Sequence, residues 1–125
     1  MSLDETWEFR LEDAVDRFNE SPSARTVSGL MRTLGAPRVS IGAAAGSPSE
    51  VRITVAWELS WYQWAVDVED QSRPVVELGN GGELAELDGS ARHWNGGIAK
   101  GGRLYLGNVA PVPLSRAARL RRALT

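Results

Sequence analysis

Apolar and polar residues alternate from Val51 onward, and the phase of that alternation flips partway along. Val51, Ile53, Val55, Trp57, Leu59 and Trp61 occupy odd positions, with Arg52, Thr54, Ala56, Glu58 and Ser60 between them. A period of two marks a strand with one buried face, and β-branched and aromatic residues suit its pleated surface. After Trp61 the apolar set moves to even positions: Tyr62, Trp64, Val66 and Val68. A strict register would send one set to the wrong face, so the stretch needs a bulge, a tight hairpin near Glu58 to Ser60, or burial on both sides. No Gly, Asn, Asp or Pro lies between Val51 and Val66, which removes the usual chemistry of a tight turn. The pattern predicts one long bent strand with a bulge between Glu58 and Tyr62. Such a bulge would bring Trp61 and Trp64 to a sheet edge or a cleft.

Helical periodicity precedes this stretch. Ser2 and Glu5 fit a capping box, and Leu3, Trp7, Leu11, Ala14, Val15 and Phe18 recur on one stripe. Phe9 sits roughly opposite that stripe. Ser21-Pro22 ends the first helix and opens a second, on which Val27, Leu30, Met31 and Leu34 repeat before Gly35 and Pro37 stop it. Val39 to Ala45 reads as a short strand and Gly46 to Glu50 as a turn. Beyond the central stretch, Gln71 to Arg73 is a loop. Val75 to Leu78 and Glu83 to Leu87, joined through Asn80-Gly81, give a hairpin signal, although Glu83 to Leu87 also fits one helical turn. Ala91 to Gly97 is irregular, and Ile98, a Lys-Gly-Gly turn and Arg103 to Leu106 form a last strand. Residues 110–113 make a proline-stiffened spacer, and Leu114 to Leu124 a weakly amphipathic helix. The order is α+β: N-terminal helices, a curved antiparallel sheet of about four to six strands, and a C-terminal helix. Residues 1–109 would form the α+β domain, and 110–125 the spacer and basic helix of the same domain.

Composition narrows the classes. The 125 residues suit one domain with a real core. There is no cysteine, so disulfides and thiolate metal sites are excluded, and a single histidine argues against other transition-metal sites. A net charge of −2 gives no whole-chain case for nucleic acid. No apolar run approaches a membrane span, and a cytoplasmic protein is expected. Charge is nevertheless split. Asp4, Glu5, Glu8, Glu12, Asp13, Asp16 and Glu20 crowd the first helix, while the last carries Arg116, Arg119, Arg121 and Arg122. These ends suit pairing with each other or, for the basic one, an acidic partner or a lipid surface. The tail is expected to dock beside the first helix.

Candidate chemistry is sparse. His93 reads as a loop histidine, since nearby Asp88 and Ser90 do not by themselves make a triad. Asp67, Glu69, Asp70 and Glu77 lack the spacing of a calcium loop. The glycines at 79–82 and 96–102 fit no phosphate-binding fingerprint and read as turns. Glu58, between Trp57 and Trp61, would make a general acid or base if buried; on the alternation alone it faces water with Arg52 and Thr54. Trp57, Trp61, Tyr62 and Trp64 suit a core, an interface or a stacking platform. Arg52 is the sole base between Val51 and Asp70, which counts against nucleic acid.

The segment Trp57 to Trp64, followed by Val66-Asp67-Val68 and by Gly82 to Leu87, resembles a group of small uncharacterised actinobacterial proteins over about half the chain. The resemblance implies a compartment and nothing more. Length and element order are also similar to the cystatin-like cone of ketosteroid isomerases, without that family's catalytic aspartate and tyrosine pattern, and to secretion-chaperone-like dimers; these likenesses imply shape alone. The residues together point to a non-enzymatic protein-interaction module, a homodimer, with no cofactor and no metal. Its expected contact residues are Phe9, Glu58, Trp61, Tyr62, Trp64, Arg116, Arg119 and Arg122. The alternative is a small-molecule binding protein or enzyme, with Glu58 and Trp57, Trp61 and Trp64 lining a cavity in a curved sheet.

Overall fold

The computed structural model describes residues 3–44, 47–70, 72, 75–99 and 101–107, and the side chains of residues 3–9, 47 and 48 lie outside that description. The expected C-terminal helix, with Arg116, Arg119 and Arg122, and its docking on the first helix fall outside the described residues, as does the Phe9 side chain. Two helices, α1 (Leu3–Asn19) and α2 (Pro22–Leu34), precede six strands: β1 (Arg38–Ala44), β2 (Ser47–Trp57), β3 (Ser60–Asp67), β4 (Val76–Gly81), β5 (Gly96–Ala99) and β6 (Arg103–Leu106). The sheet is antiparallel throughout, in the order β4-β3-β2-β1-β5-β6. The fold is the expected α+β arrangement. Gly35 closes α2 at a φ of 86°, a left-handed conformation that glycine adopts without strain.

The central stretch is a hairpin, not one bulged strand. Trp57 pairs with Ser60 across a two-residue turn, Glu58-Leu59, and the ladder continues through Val55↔Tyr62, Ile53↔Trp64 and Val51↔Val66. Odd residues of β2 therefore share a face with even residues of β3. The phase flip is the signature of that register, and it keeps both apolar sets on one side. The turn forms without its usual residues: among the described residues no non-glycine has positive φ, so Glu58-Leu59 is not a primed turn. Cross-strand packing outweighs turn propensity here. Trp57 meets Tyr62 edge-on at 6.4 Å, and Gln63 Nε2 donates to Thr54 Oγ1 at 3.0 Å on the opposite face.

A second correction concerns Asn80-Gly81. These residues end β4 in ladder pairs with Tyr62 and Trp61 rather than forming a turn. The Asn80 carboxamide donates to Glu77 Oε2, and Leu84–Glu86 form a 3-10 turn, the helical alternative for Glu83 to Leu87 rather than the strand. The expected turn at residues 46–50 is likewise strand from Ser47. A bulge does exist, one strand away: Gln63 faces Gly79 and Trp64 faces Glu77, leaving Leu78 as the extra residue of β4.

The helices cover the face carrying Val39, Ile41, Val51, Ile53, Val55, Trp57, Trp64 and Val66, and contribute Ala14, Val15, Phe18 and Val27 to a single core. Phe18 meets Trp64 edge-on at 5.0 Å. Arg17 ties α1 to the end of β3: its guanidinium donates to the carbonyls of Asp67, Val68 and Asp70 and pairs with Asp13 at 3.2 Å. The opposite face lies under a second 3-10 turn, Gly89–Arg92, with Ala91 buried.

Two carboxamides stand in for strands. β1 and β5 share one ladder pair, Val39↔Gly96. Beyond it, Asn95 Oδ1 accepts from the Ile41 N–H at 2.7 Å while Asn95 Nδ2 donates to the Ile41 carbonyl at 2.8 Å. Asn19, the last residue of α1, does the same for Leu104 of β6, accepting its N–H at 2.8 Å and donating to its carbonyl at 3.0 Å.

Candidate functional site

The sheet has two edges, and they are finished differently. At β6, Asn19 occupies the N–H and carbonyl of Leu104 that point away from β5. At β4, no outward backbone group bonds to any described residue. That edge is also apolar, with Val76 at 44% and Leu78 at 45% exposure. Leu59, at 76% exposure, stands at the tip of the neighbouring hairpin, its carbonyl close to Gly82 just past β4. Unpaired, apolar edge strands are templates for another chain, and proteins usually blunt them.

The aromatic residues expected at this surface divide. Trp64, at 1% exposure, is core and unavailable for contact, because the hairpin turns it toward α1. Trp57 is also core, and its Nε1 donates to the Gly35 carbonyl at 2.8 Å. Tyr62 is half-buried, stacked on Trp64 at 6.0 Å. Trp61 lies on the opposite face, half-buried, with Nε1 shared between the Glu83 carbonyl and Glu86 Oε1, each at 3.0 Å. Gly81 lies close to its ring; a Cβ there would lie 2.7 Å from the indole and nearer still to Glu86 Oε1. Glu58 is exposed at the turn and meets neither Trp57 nor Trp61 in a cavity. Among the described residues, exposed Glu58 and buried Trp57 and Trp64 do not gather around one cavity.

A different concavity lies on the second face, between the sheet and the Gly89–Arg92 turn. It is a cleft of about 60 Å³, with Ser40, Gly42, Thr54, Arg52 and Gln63 in its floor and Asp88 and Ser90 at its rim. Asp88 caps the turn: its Oδ1 accepts from Ser90 Oγ at 2.7 Å and from the Ala91 N–H at 3.0 Å. The Ser90 hydroxyl, then the Ala91 amide, hold its carboxyl below the ordinary 3.8, with a smaller contribution from the Arg52 charge. None of these residues stood out in the sequence, apart from Arg52 as a lone base and Asp88 and Ser90 as neighbours of His93. Their signal is weak: small or polar residues at alternate positions of β1 and β2, and an Asp two residues before a Ser. A more open, basic groove runs between α2 and the β5–β6 turn, beside Arg25, Ser28 and Arg103.

His93 is exposed at the end of its 3-10 turn. Asp67 and Asp70 close local turns, onto the Glu69 N–H and onto Ser72 respectively. Among the described residues, no three His, Cys, Asp or Glu side chains gather to hold a metal ion, and no helix is long and apolar enough to cross a membrane. No protein-family model, curated protein or solved structure matches this chain.

Proposed function

We propose that this chain is a non-enzymatic, cytoplasmic protein-interaction module that self-associates as a homodimer through its β4 edge. The observation that carries the reading is the contrast between the two edges: β6 is capped at Leu104 by the Asn19 carboxamide, whereas the outward backbone groups of β4, beside exposed Val76 and Leu78, bond to no described residue. Strand addition supplies main-chain hydrogen bonds, and alternate side chains supply specificity. Two β4 strands related by a two-fold axis would pair antiparallel, the arrangement found throughout this sheet, and such an isologous contact closes at two copies. Leu59, at the tip of the β2–β3 hairpin, would extend the apolar contact beyond the strand itself.

Sedimentation at micromolar concentration tests the reading: the wild type should run at twice the chain mass. Leu78→Lys should return it to a monomer with its melting temperature little changed, because Leu78 is the exposed extra residue of a bulge. A monomer across a wide concentration range, or a Leu78→Lys protein that remains dimeric, removes the β4 interface.

A further inference from the structure

The cleft on the second face of the sheet holds polar groups that the described residues do not use up. Thr54 is 1% exposed, and its side chain lines the cleft. Among the described residues, its side chain makes one hydrogen bond, with the Gln63 carboxamide at 3.0 Å. Drawn with Nε2 donating, that bond leaves the Thr54 hydroxyl proton and Gln63 Oε1 unengaged. Turned over, the carboxamide leaves a Thr54 lone pair and the Nε2 protons instead. In both orientations the pair keeps one donor and one acceptor in hand. A buried hydroxyl with one of its three hydrogen-bonding positions engaged calls for a partner.

Charge adds a direction. Arg52 uses Nε on Glu50, at 3.0 Å, and its two terminal nitrogens bond to no described residue. Asp88 accepts through Oδ1 from the Ser90 hydroxyl and the Ala91 N–H, and its charge is also steadied by the Ser90 backbone. These opposite charges both line the cleft yet do not close into an ion pair. The space is real on the backbone side too: a Cβ built on Gly42 meets nothing within 4 Å, and Gly42 lies opposite Arg52 in the ladder. At roughly 10–15 Å³ per water-sized sphere, the cleft of about 60 Å³ takes about four to six such groups.

We propose that this cleft is a binding site for a small zwitterion, an amino acid of about glycine's size, with its carboxylate toward Arg52 and Thr54 and its ammonium toward Asp88 and Gln63. A lone anion would meet the Asp88 carboxylate, and a lone cation would meet the Arg52 guanidinium. A molecule carrying both charges satisfies both ends and gives the Thr54 hydroxyl its acceptor. This site shares no residue with the β4 edge and does not depend on self-association.

The test is amide NMR of the full-length protein titrated with glycine, and separately with acetate, methylamine and acetamide, up to about 100 mM, the weak end expected of very small ligands. Glycine should move the Thr54, Ser90 and Ala91 amides and the Gln63 side-chain amide along a saturating curve, with the single-function probes at least tenfold weaker. Gly42→Val should abolish the response, because its side chain fills open space in a strand that tolerates β-branched residues. Should Gly42→Val fail to fold, Thr54→Val removes the hydroxyl at nearly constant shape, and at least a tenfold loss is expected. The proposal is overturned by shifts that do not saturate, by glycine binding no more tightly than acetate, methylamine or acetamide, or by a folded Gly42→Val protein that binds as well as wild type.

Discussion

Replacing Asn19 by alanine tests the reasoning about sheet edges most directly. The carboxamide makes two hydrogen bonds to Leu104, at 2.8 and 3.0 Å, joining residues 85 apart in sequence. Its removal leaves an N–H and a carbonyl without their partner in a part-buried setting, a loss of about 1–3 kcal/mol for each group that water cannot reach. Water reaches this site in part, so the low end applies, about 2 kcal/mol for the two together. Alanine's better helix propensity at the end of α1 returns about 0.5 kcal/mol. A net loss of about 1.5 kcal/mol is expected, against a total stability of about 5–15 kcal/mol for such a domain. The melting temperature should fall by about 6 °C, taking about 4 °C per kcal/mol. Asn19→Asp separates the two bonds. It keeps the acceptor for the Leu104 N–H but sets a second acceptor against the Leu104 carbonyl, and it puts a negative charge at a helix C-terminus. At neutral pH it should be less stable than the alanine variant. That charge raises the carboxyl pKa in the folded state, so stability should recover as pH falls through the raised value and a proton restores the donor. Urea denaturation at neutral and acid pH measures both. An alanine variant within about 0.5 kcal/mol of wild type, the range of ordinary surface changes, refutes the idea that Asn19 closes the β6 edge; an aspartate variant as stable as wild type refutes the donor half of it.

Trp64→Ala should cost about 3–5 kcal/mol, since the ring is 1% exposed and packs on Phe18 and Tyr62; a loss under about 1 kcal/mol by urea denaturation would reverse the assignment of faces. Asp88 is held ionised in the folded state below its ordinary 3.8, by the Ser90 hydroxyl first. Its contribution is therefore complete above the unfolded pKa and is lost as pH falls through the lower folded value. Asp88→Asn should flatten that part of the acid limb in pH-dependent melting, and an unchanged limb would mean that the cap contributes nothing.

Period-two alternation located both strands of the central hairpin and its phase change, because burial on one face is written residue by residue. The choice between bulge and turn was not legible, since it rests on pairing energies between residues on different strands. Turn chemistry pointed the wrong way twice: Glu58-Leu59 turns without it, and Asn80-Gly81 has it without turning. In each case cross-strand contacts decide, as with Trp61 lying over Gly81. Trp57 was legible as core from its parity alone, while Trp64 was not, because its side of the sheet depends on the hairpin register. Asn19 and Asn95 carry no local signal, since their partners lie 85 and 54 residues away. The cleft is equally silent in one dimension: its floor and rim come from separate strands and a turn that meet only after folding.

The seam between β1 and β5 also sets how readily one of the chain's Asn-Gly pairs is expected to deamidate. Asn95 is followed by Gly96, and a residue without a Cβ offers least hindrance to attack by its backbone nitrogen on the preceding carboxamide. That attack closes a five-membered imide and expels ammonia; water then opens the ring and leaves a carboxylate. While the sheet is closed, both ends of the Asn95 carboxamide are occupied by Ile41, which holds it away from attack. Each opening of the seam releases it. Once ammonia has gone, an oxygen stands where Nδ2 faced the Ile41 carbonyl, and reclosing becomes harder. The damage is cumulative, and it falls where the two parts of the sheet share a single ladder pair.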